Sequence, residues 1–163
     1  MKDLYRIYAM NPEKKDYLKL YRLYKTKNWE DHFNLLYLKA DDIENTFAFT
    51  DRQFRFAIDC VKEAKAKRTD CTLISPRTVE KDGSLRLVRP RDWCSGFFPG
   101  SLWQTFQYNG GPYWRGQAVS HTWPIEDIKN HRGTHDLGFM IFCPFGQAYR
   151  LTGEQSFKDV SLV

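Results

Sequence analysis

The stretch from Leu137 to Tyr149 is apolar on nearly every side, and it limits the fold of this chain more than any other feature. A helix without a polar face must be covered all round, so we expect this segment to be an inner helix of a larger helical assembly. Its longest apolar run, Leu137 to Gly146, is about half of the roughly 20 residues that a bilayer span needs, and Pro144 interrupts it. The run therefore does not predict a transmembrane helix.

Helical spacing of apolar residues recurs along the rest of the chain. We expect a helix from about Asp51 to Lys67, in which Thr50 and Gln53 form a capping box and the apolar stripe runs through Ile58. The sequence Asn-Gly-Gly-Pro at residues 109–112 is a strong helix breaker. Further helices are predicted at residues 17–24, 28–40 and 97–108. Two more are predicted to begin near residue 113 and at residue 154.

Between Pro76 and Pro90 the spacing of apolar residues changes from helix-like to strand-like. Residues 77–81 and 85–88 have strand-like patterns and flank Asp82-Gly83, a dipeptide suited to the positive φ angles of a hairpin turn. We therefore expect an all-α fold with one small β-hairpin near residues 77–88. The helix that carries Ile58 and the segments 97–108 and 137–149 should pack antiparallel as neighbours, because their linkers are short relative to the helices.

The charge of the chain is concentrated at its N-terminus. The net charge is +5, and residues 1–28 carry all of it, with eight basic and three acidic side chains. A basic segment on a neutral body favours a solvated face, so no nucleic-acid partner is predicted. Residues 1–20 lack the apolar core of a secretory signal, so the sequence as written encodes no export. The compartment stays open: cytoplasmic, or periplasmic if the natural N-terminus lies elsewhere.

Cysteine and histidine spacing predicts no metal site. Cys60, Cys71, Cys94 and Cys143 form no Cys-x-x-Cys pair, and they are expected to be reduced or buried thiols. His121, His131 and His135 could join Cys143 only if the fold happened to converge them, because nothing in their spacing fixes a ligand geometry.

Two stretches have compositions that packing alone does not require. In residues 91–103, aromatic and small residues crowd a loop that enters a helix. The indole of Trp93 there could cover the apolar face of a sugar ring, or it could be an ordinary core residue. In residues 134–139, His135 and Asp136 stand side by side before the buried helix, where the aspartate could be a functional carboxylate or only a helix N-cap.

Together and in this order, about forty residues apart, the two stretches resemble the unsaturated glucuronyl hydrolases of glycoside hydrolase family 88. The similarity extends from about Phe49 to Phe157. It also includes Ser-Pro-Arg-Thr-Val-Glu at residues 75–80, Gly-Phe at 96–97, and Tyr-Arg-Leu-Thr-Gly at 149–153.

The resemblance implies a toroid of paired helices, an α/α barrel, with residues 46–163 as its N-terminal part. Residues 1–45 match nothing in the family and are expected to be a basic, Tyr-rich helical segment of unknown role. It implies a glycoside hydrolase that acts on a 4,5-unsaturated uronic acid at the non-reducing end of lyase-generated, glycosaminoglycan-type oligosaccharides. Water adds across the vinyl ether C4=C5 bond, and the hemiketal rearranges and releases the sugar, unlike the usual two-carboxylate displacement. The implied partner is the oligosaccharide, with no cofactor, metal, nucleic acid or membrane.

Carried over residue by residue, Asp136 matches one of the two catalytic aspartates of the family, and His135 matches its substrate-contacting neighbour. Trp93 matches an aromatic that packs on the uronate ring, and Phe97 is a candidate for the pocket wall. If the resemblance is right, Trp93 and Asp136 should converge on one concave surface. The second catalytic aspartate lies on a later helix in the family and matches no residue here. We therefore expect a truncated chain that is weakly active or inactive alone.

Two alternatives remain open at this point. One is an enzyme like the related unsaturated rhamnogalacturonyl hydrolases, although the block His-Asp-Leu-Gly-Phe at residues 135–139 favours the glucuronyl family. The other is a non-catalytic fragment that binds sugar or associates with another chain through exposed inner helices. The parent polysaccharide and the oligomeric state do not follow from the sequence.

Overall fold

The computed structural model describes residues 40–161, with side chains from residue 43 onward. The chain divides into two compact units, Met1–Asn45 and Thr46–Val163. The helices predicted for residues 17–24 and 28–40 lie outside the described residues, apart from residue 40.

The described part of the chain is mainly helical and contains one two-stranded antiparallel sheet. None of its helices is long and apolar enough to cross a membrane. Its elements, in chain order, are α1 (Ala40–Ala66), β1 (Ser75–Val79), β2 (Leu85–Val88), α2 (Phe97–Asn109), α3 (Gly111–Thr122), a 3-10 helix (Trp123–Asn130), a π-helix (Gly138–Gly146), α4 (Gln147–Thr152) and α5 (Gln155–Ser161).

Helix α1 begins earlier than the sequence pattern indicates. The predicted capping box at Thr50 is wrong, because the Thr50 hydroxyl donates to the carbonyl of Thr46, 2.8 Å away, inside a continuous helix. A threonine in a helix interior commonly makes this bond to the preceding turn. The predicted stripe is confirmed, since Ile58 and Val61 are buried.

The predicted hairpin is confirmed. Ser75 pairs with Val88 and Val79 pairs with Leu85, with an irregularity in β1 between Pro76 and Thr78. The turn spans residues 80–84, where Gly83 has a φ of +82°. Glycine tolerates this left-handed backbone without the steric cost that a Cβ would add.

Helices α1 and α2 run antiparallel, as predicted, but α2 and the π-helix run parallel, which corrects the expectation that all three segments alternate in direction. Asp51 of α1 accepts a hydrogen bond from Asn109 at the end of α2, 3.1 Å away. A Cβ on Gly100 of α2 would lie 3.0 Å from the Cys143 carbonyl oxygen. Further along, Arg150 donates a hydrogen bond to the side-chain oxygen of Gln107. Gly100 and Cys143 are 43 residues apart in the sequence, and so are Gln107 and Arg150, as expected for two parallel segments. The chain returns through α3 and the 3-10 helix, so α2 and the π-helix point the same way.

The core lies between these segments. The Trp103 indole is fully buried and packs edge-on against Phe157, with ring centroids 5.7 Å apart. Its N–H donates to the Thr122 hydroxyl over 2.9 Å, and that hydroxyl donates to the Ala118 carbonyl over 2.7 Å. The one polar atom of the indole is thereby satisfied inside an apolar cluster.

The apolar segment predicted as one helix from Leu137 to Tyr149 is helical, but most of it has π geometry. Pro144 has no N–H, and in an α-helix its ring would press on the carbonyl four residues earlier, at Met140. The wider π turn accommodates a residue that an α-helix would not. The sequence pattern shows burial but does not distinguish these two helical forms.

Candidate functional site

Three exposed aromatic side chains form a continuous row on the surface of the second unit. Trp93 packs edge-on against Phe97, with ring centroids 5.8 Å apart, and Phe97 lies 5.4 Å from Phe139. Their exposed fractions are 47%, 39% and 47%. We call these three residues the aromatic row. Large apolar rings that stay exposed and adjacent are a common feature of ligand-contacting surfaces.

The two segments that carry the aromatic row, the start of α2 and the start of the π-helix, approach each other closely through their backbones. A Cβ on Gly96 would lie 2.2 Å from the Phe139 carbonyl oxygen and 2.6 Å from that of Met140. Only a residue without a side chain fits there, so the start of α2 rests directly on the start of the π-helix. This contact places Phe97 beside Phe139.

The loop that carries Trp93 is folded around the carboxylate of Asp92. That carboxylate accepts hydrogen bonds from the backbone N–H of Cys94 over 3.2 Å and from the Cys94 thiol over 2.9 Å. It also forms an ion pair with Arg77 of β1. The Ser75 hydroxyl donates to the Ser95 carbonyl over 3.1 Å, which holds the hairpin against the same loop.

The charge states in this loop follow from these contacts. Burial acts to raise the pKa of Asp92, but the hydrogen bonds from Cys94 and the ion pair with Arg77 outweigh it, and the pKa is lowered. Burial, and then the neighbouring Asp92 carboxylate, raise the pKa of the Cys94 thiol to about 11. The thiol therefore stays protonated near neutral pH, and it is a hydrogen-bond donor rather than a nucleophile.

His135 and Asp136 lie just before the π-helix. The Asp136 carboxylate is 3.5 Å from His135 Nε2 and 3.5 Å from the Thr134 hydroxyl. The His135 side chain is 95% exposed, whereas that of Asp136 is 21% exposed. The Asp136 backbone carbonyl accepts hydrogen bonds from the N–H groups of Phe139 over 2.9 Å and Met140 over 3.2 Å, whereas its carboxylate contacts His135 and Thr134.

The structure brings the sequence-predicted residues to the same ends of two neighbouring segments. Trp93 lies in the loop just before α2 and Phe97 begins that helix, while His135 and Asp136 lie just before the π-helix, four and three residues before the row member Phe139. Because α2 and the π-helix run parallel, their N-terminal ends face the same side. Two residues of this region, Arg77 and Asp92, were not singled out from the sequence as functional; the only signal for them was their place in the family-like motifs.

Clefts of about 290–320 Å³ lie elsewhere on the described residues. One lies at the far end of α2, between Phe47, Tyr108 and Arg150. None of these three clefts is lined by Trp93, Phe97 or Asp136, so the concave shape expected around them stays a prediction. Within residues 40–161, no group of three or more His, Cys, Asp or Glu side chains could hold a metal ion.

Comparison with known proteins gives partial matches of one kind. No protein-family model matches the chain. An unsaturated glucuronyl hydrolase from Formosa agariphila is 36% identical over 88 residues, which cover 53% of this chain and 20% of that protein. A crystal structure of an unsaturated glucuronyl hydrolase specific for heparin is also 36% identical, with a TM-score of 0.55, and the match covers 67% of this chain and 29% of the other.

This chain is similar to the unsaturated glucuronyl hydrolases. The resemblance seen in the sequence is thereby confirmed, and so is the fold class, part of an α/α toroid with a small β-hairpin. The chain spans less than a third of the length of either relative. Neither match tests the roles of Asp136, His135, Trp93 and Phe97, which remain predictions.

Proposed function

We propose that this chain contributes part of the substrate site of a glycoside hydrolase of the unsaturated glucuronyl hydrolase type. The substrate class is an oligosaccharide with a 4,5-unsaturated uronic acid at its non-reducing end. Because the solved relative is specific for heparin, lyase-generated heparin fragments are the first substrates to examine. The reaction is hydration of the vinyl ether, followed by collapse of the hemiketal and release of the next sugar.

Each predicted site residue has a chemical role in this proposal. Trp93 provides a flat apolar plane for the uronate ring, and Phe97 provides part of the wall beside it. Asp136 is one of the two catalytic aspartates, and its negative charge orients the substrate or stabilises positive charge that develops during C4 protonation. His135, which is 95% exposed, is free to reach a substrate hydroxyl or carboxylate.

One observation supports the proposal most strongly: the aromatic row runs from Trp93 to Phe139, and Asp136 lies only three residues before its end. A stacking plane and a carboxylate on one side of the fold are what the proposed chemistry requires. A sugar-binding fragment without catalysis would share the plane but would not need the carboxylate.

The proposal predicts that the 163-residue chain binds an unsaturated heparin disaccharide and binds it less tightly after its C4=C5 bond is hydrogenated. Trp93→Ala should weaken binding about tenfold, because loss of a stacked ring removes about 1 to 2 kcal/mol. The matched control is Tyr108→Ala, since Tyr108 is similarly exposed at 44% but lies at the far end of α2. Titration calorimetry measures the affinity of the unaltered chain for both disaccharides and the affinity of each variant for the unsaturated one.

Turnover is measured on the same samples as loss of the unsaturated uronate's ultraviolet absorbance. We expect it to be slow, because proton delivery to C4 needs a second positioned acid and general acid catalysis contributes roughly 10²- to 10⁴-fold. Asp136→Asn, which keeps the shape and removes the charge, should abolish the remaining turnover. Equal binding of the saturated and unsaturated disaccharides would favour the non-catalytic sugar-binding alternative, and indifference to Trp93→Ala would contradict the assignment of Trp93 to the site.

A further inference from the structure

The orientation of the Trp93 indole has to be held by a neighbouring group. It is 47% exposed, and among ring contacts in the described residues it has only the edge-on contact with Phe97, 5.8 Å away. An exposed side chain with one lateral neighbour keeps much of its rotational freedom, and ordering it on binding would cost free energy. A binding plane is more effective if another group already restrains it.

Arg77 contacts both Trp93 and the residue before it. The guanidinium carbon lies 6.0 Å from the centroid of the Trp93 ring, at the outer limit of a cation–π contact. The same guanidinium forms the ion pair with Asp92. The two oxygens of Asp92 are divided between partners, with Oδ1 accepting from Cys94 and Oδ2 from Arg77. The backbone from which Trp93 projects is therefore fixed on two sides.

A bulge in strand β1 directs Arg77 towards Trp93 and Asp92. Pro76 pairs with Leu87 and Thr78 pairs with Arg86, so Arg77 lies at the irregularity between them and has no partner on β2. Bulges locally turn a side chain away from the regular alternation of a strand, and they often occur beside functional sites. The hairpin has its own anchors in buried Leu87 and Val88, so it does not depend on Arg77 to stay in place.

We propose that Arg77 is a positioning residue that holds the Trp93 indole in its binding orientation, through the ion pair with Asp92 and its contact with the ring. This inference rests on the proposed function, because it assigns Arg77 to the same sugar-binding plane. Arg77 acts on the substrate only through Trp93, and its loss lowers affinity without unfolding the hairpin.

The test uses the 163-residue chain labelled with 5-fluorotryptophan, which gives one fluorine signal for each of the five tryptophans. Trp93→Phe identifies the signal of Trp93. Arg77→Met should shift or broaden that signal and leave the signal of buried Trp103 unchanged. Arg77→Lys keeps the ion pair but loses the planar guanidinium, so it should give an intermediate result.

The matched control is Arg86→Met. Arg86 lies on the neighbouring strand and forms an exposed pair with Glu80 at 3.9 Å, away from Asp92. With the unsaturated heparin disaccharide as ligand, Arg77→Met should weaken binding about tenfold, a typical effect of misplacing a positioning group, and Arg86→Met should change it less than about twofold.

Two results would overturn the inference. One is an unchanged Trp93 signal in Arg77→Met. The other is an equal change in the signals of Trp93 and Trp103 together with a lower melting temperature, which would show a purely structural role. If the unaltered chain does not bind the disaccharide, the proposed function fails, but the Trp93 signals measured without ligand still decide whether Arg77 positions the indole.

Discussion

His121 shows how strongly one buried side chain can respond to its surroundings. Its imidazole packs edge-on against Phe98, with centroids 5.1 Å apart, near the end of α3. Burial, and then the positive charges of Lys65 and Lys62 on α1, lower the pKa of His121 from 6.5 to about 4. The imidazole is therefore neutral in the folded chain at pH 5, whereas it would be mostly protonated in the unfolded chain.

This difference predicts a loss of stability in mild acid. The unfolded state binds the extra proton between pH 6.5 and about 4, so the free energy of unfolding should fall as the pH decreases through that window. The contribution of His121 is about 3 kcal/mol at most, since each pKa unit corresponds to about 1.4 kcal/mol. His121→Gln should flatten this dependence in urea titrations at several pH values.

His135→Gln is the control for this prediction, because the His135 side chain is 95% exposed and loses little solvation on folding. Its urea midpoints should follow those of the unaltered chain at each pH. An equally steep pH dependence in His121→Gln would show that other groups cause the acid sensitivity.

At the scale of elements, the sequence predicts the hairpin, α2 and the breaker after it, because each has a local signal. Gly110 and Gly111 have φ angles of +67° and +79°, which few other residues adopt easily. The start of α1 was missed because a mid-helix threonine looks like a cap. The π-helix was missed because apolar composition reports burial and not the number of residues per turn.

The contact between the start of α2 and the π-helix gives a sharp test of how these elements hold the site. Gly96→Ala should destabilise the chain by about 1 to 3 kcal/mol, because the new methyl group would overlap the carbonyl oxygens of Phe139 and Met140. It should also weaken disaccharide binding, since it moves Phe97 away from Phe139. Chemical denaturation measures the first effect and calorimetry the second.

Gly116→Ala is the matched glycine control within α3. A Cβ at Gly116 would meet no atom within 4 Å, so alanine should stabilise the helix by about 0.5 to 1 kcal/mol. A Gly96→Ala variant as stable as the unaltered chain would mean that the two backbones do not meet as closely as described.

At the scale of the whole molecule, the candidate site depends on chain direction. Trp93 lies just before α2 and Asp136 just before the π-helix, and they share a side because these segments run parallel. The sequence identified the residues through their motifs but not this direction, because short linkers suggested simple alternation. The intervening α3 and 3-10 helix supply the return that makes the two segments parallel.

The same arrangement leaves apolar side chains of the two parallel segments exposed. Phe97, Phe139 and Phe142 have exposed fractions of 39%, 47% and 59%. Rings exposed in this way serve either as a ligand surface or as a contact for further protein. The proposed function assigns Phe97 to the wall of the sugar site, and Phe139 ends the aromatic row beside it, so a bound disaccharide should change the signals of residues along the row and not elsewhere.

The most direct measurement is therefore a map of the bound disaccharide on the 163-residue chain, obtained from amide and indole chemical shifts in ¹⁵N-labelled protein. We expect the unsaturated heparin disaccharide to shift the Trp93 indole signal together with amides of residues 92–97 and 134–139, as one contiguous surface, which is the result that the proposed site requires. Shifts confined to the cleft between Phe47, Tyr108 and Arg150, or no shifts at saturating disaccharide, would contradict it.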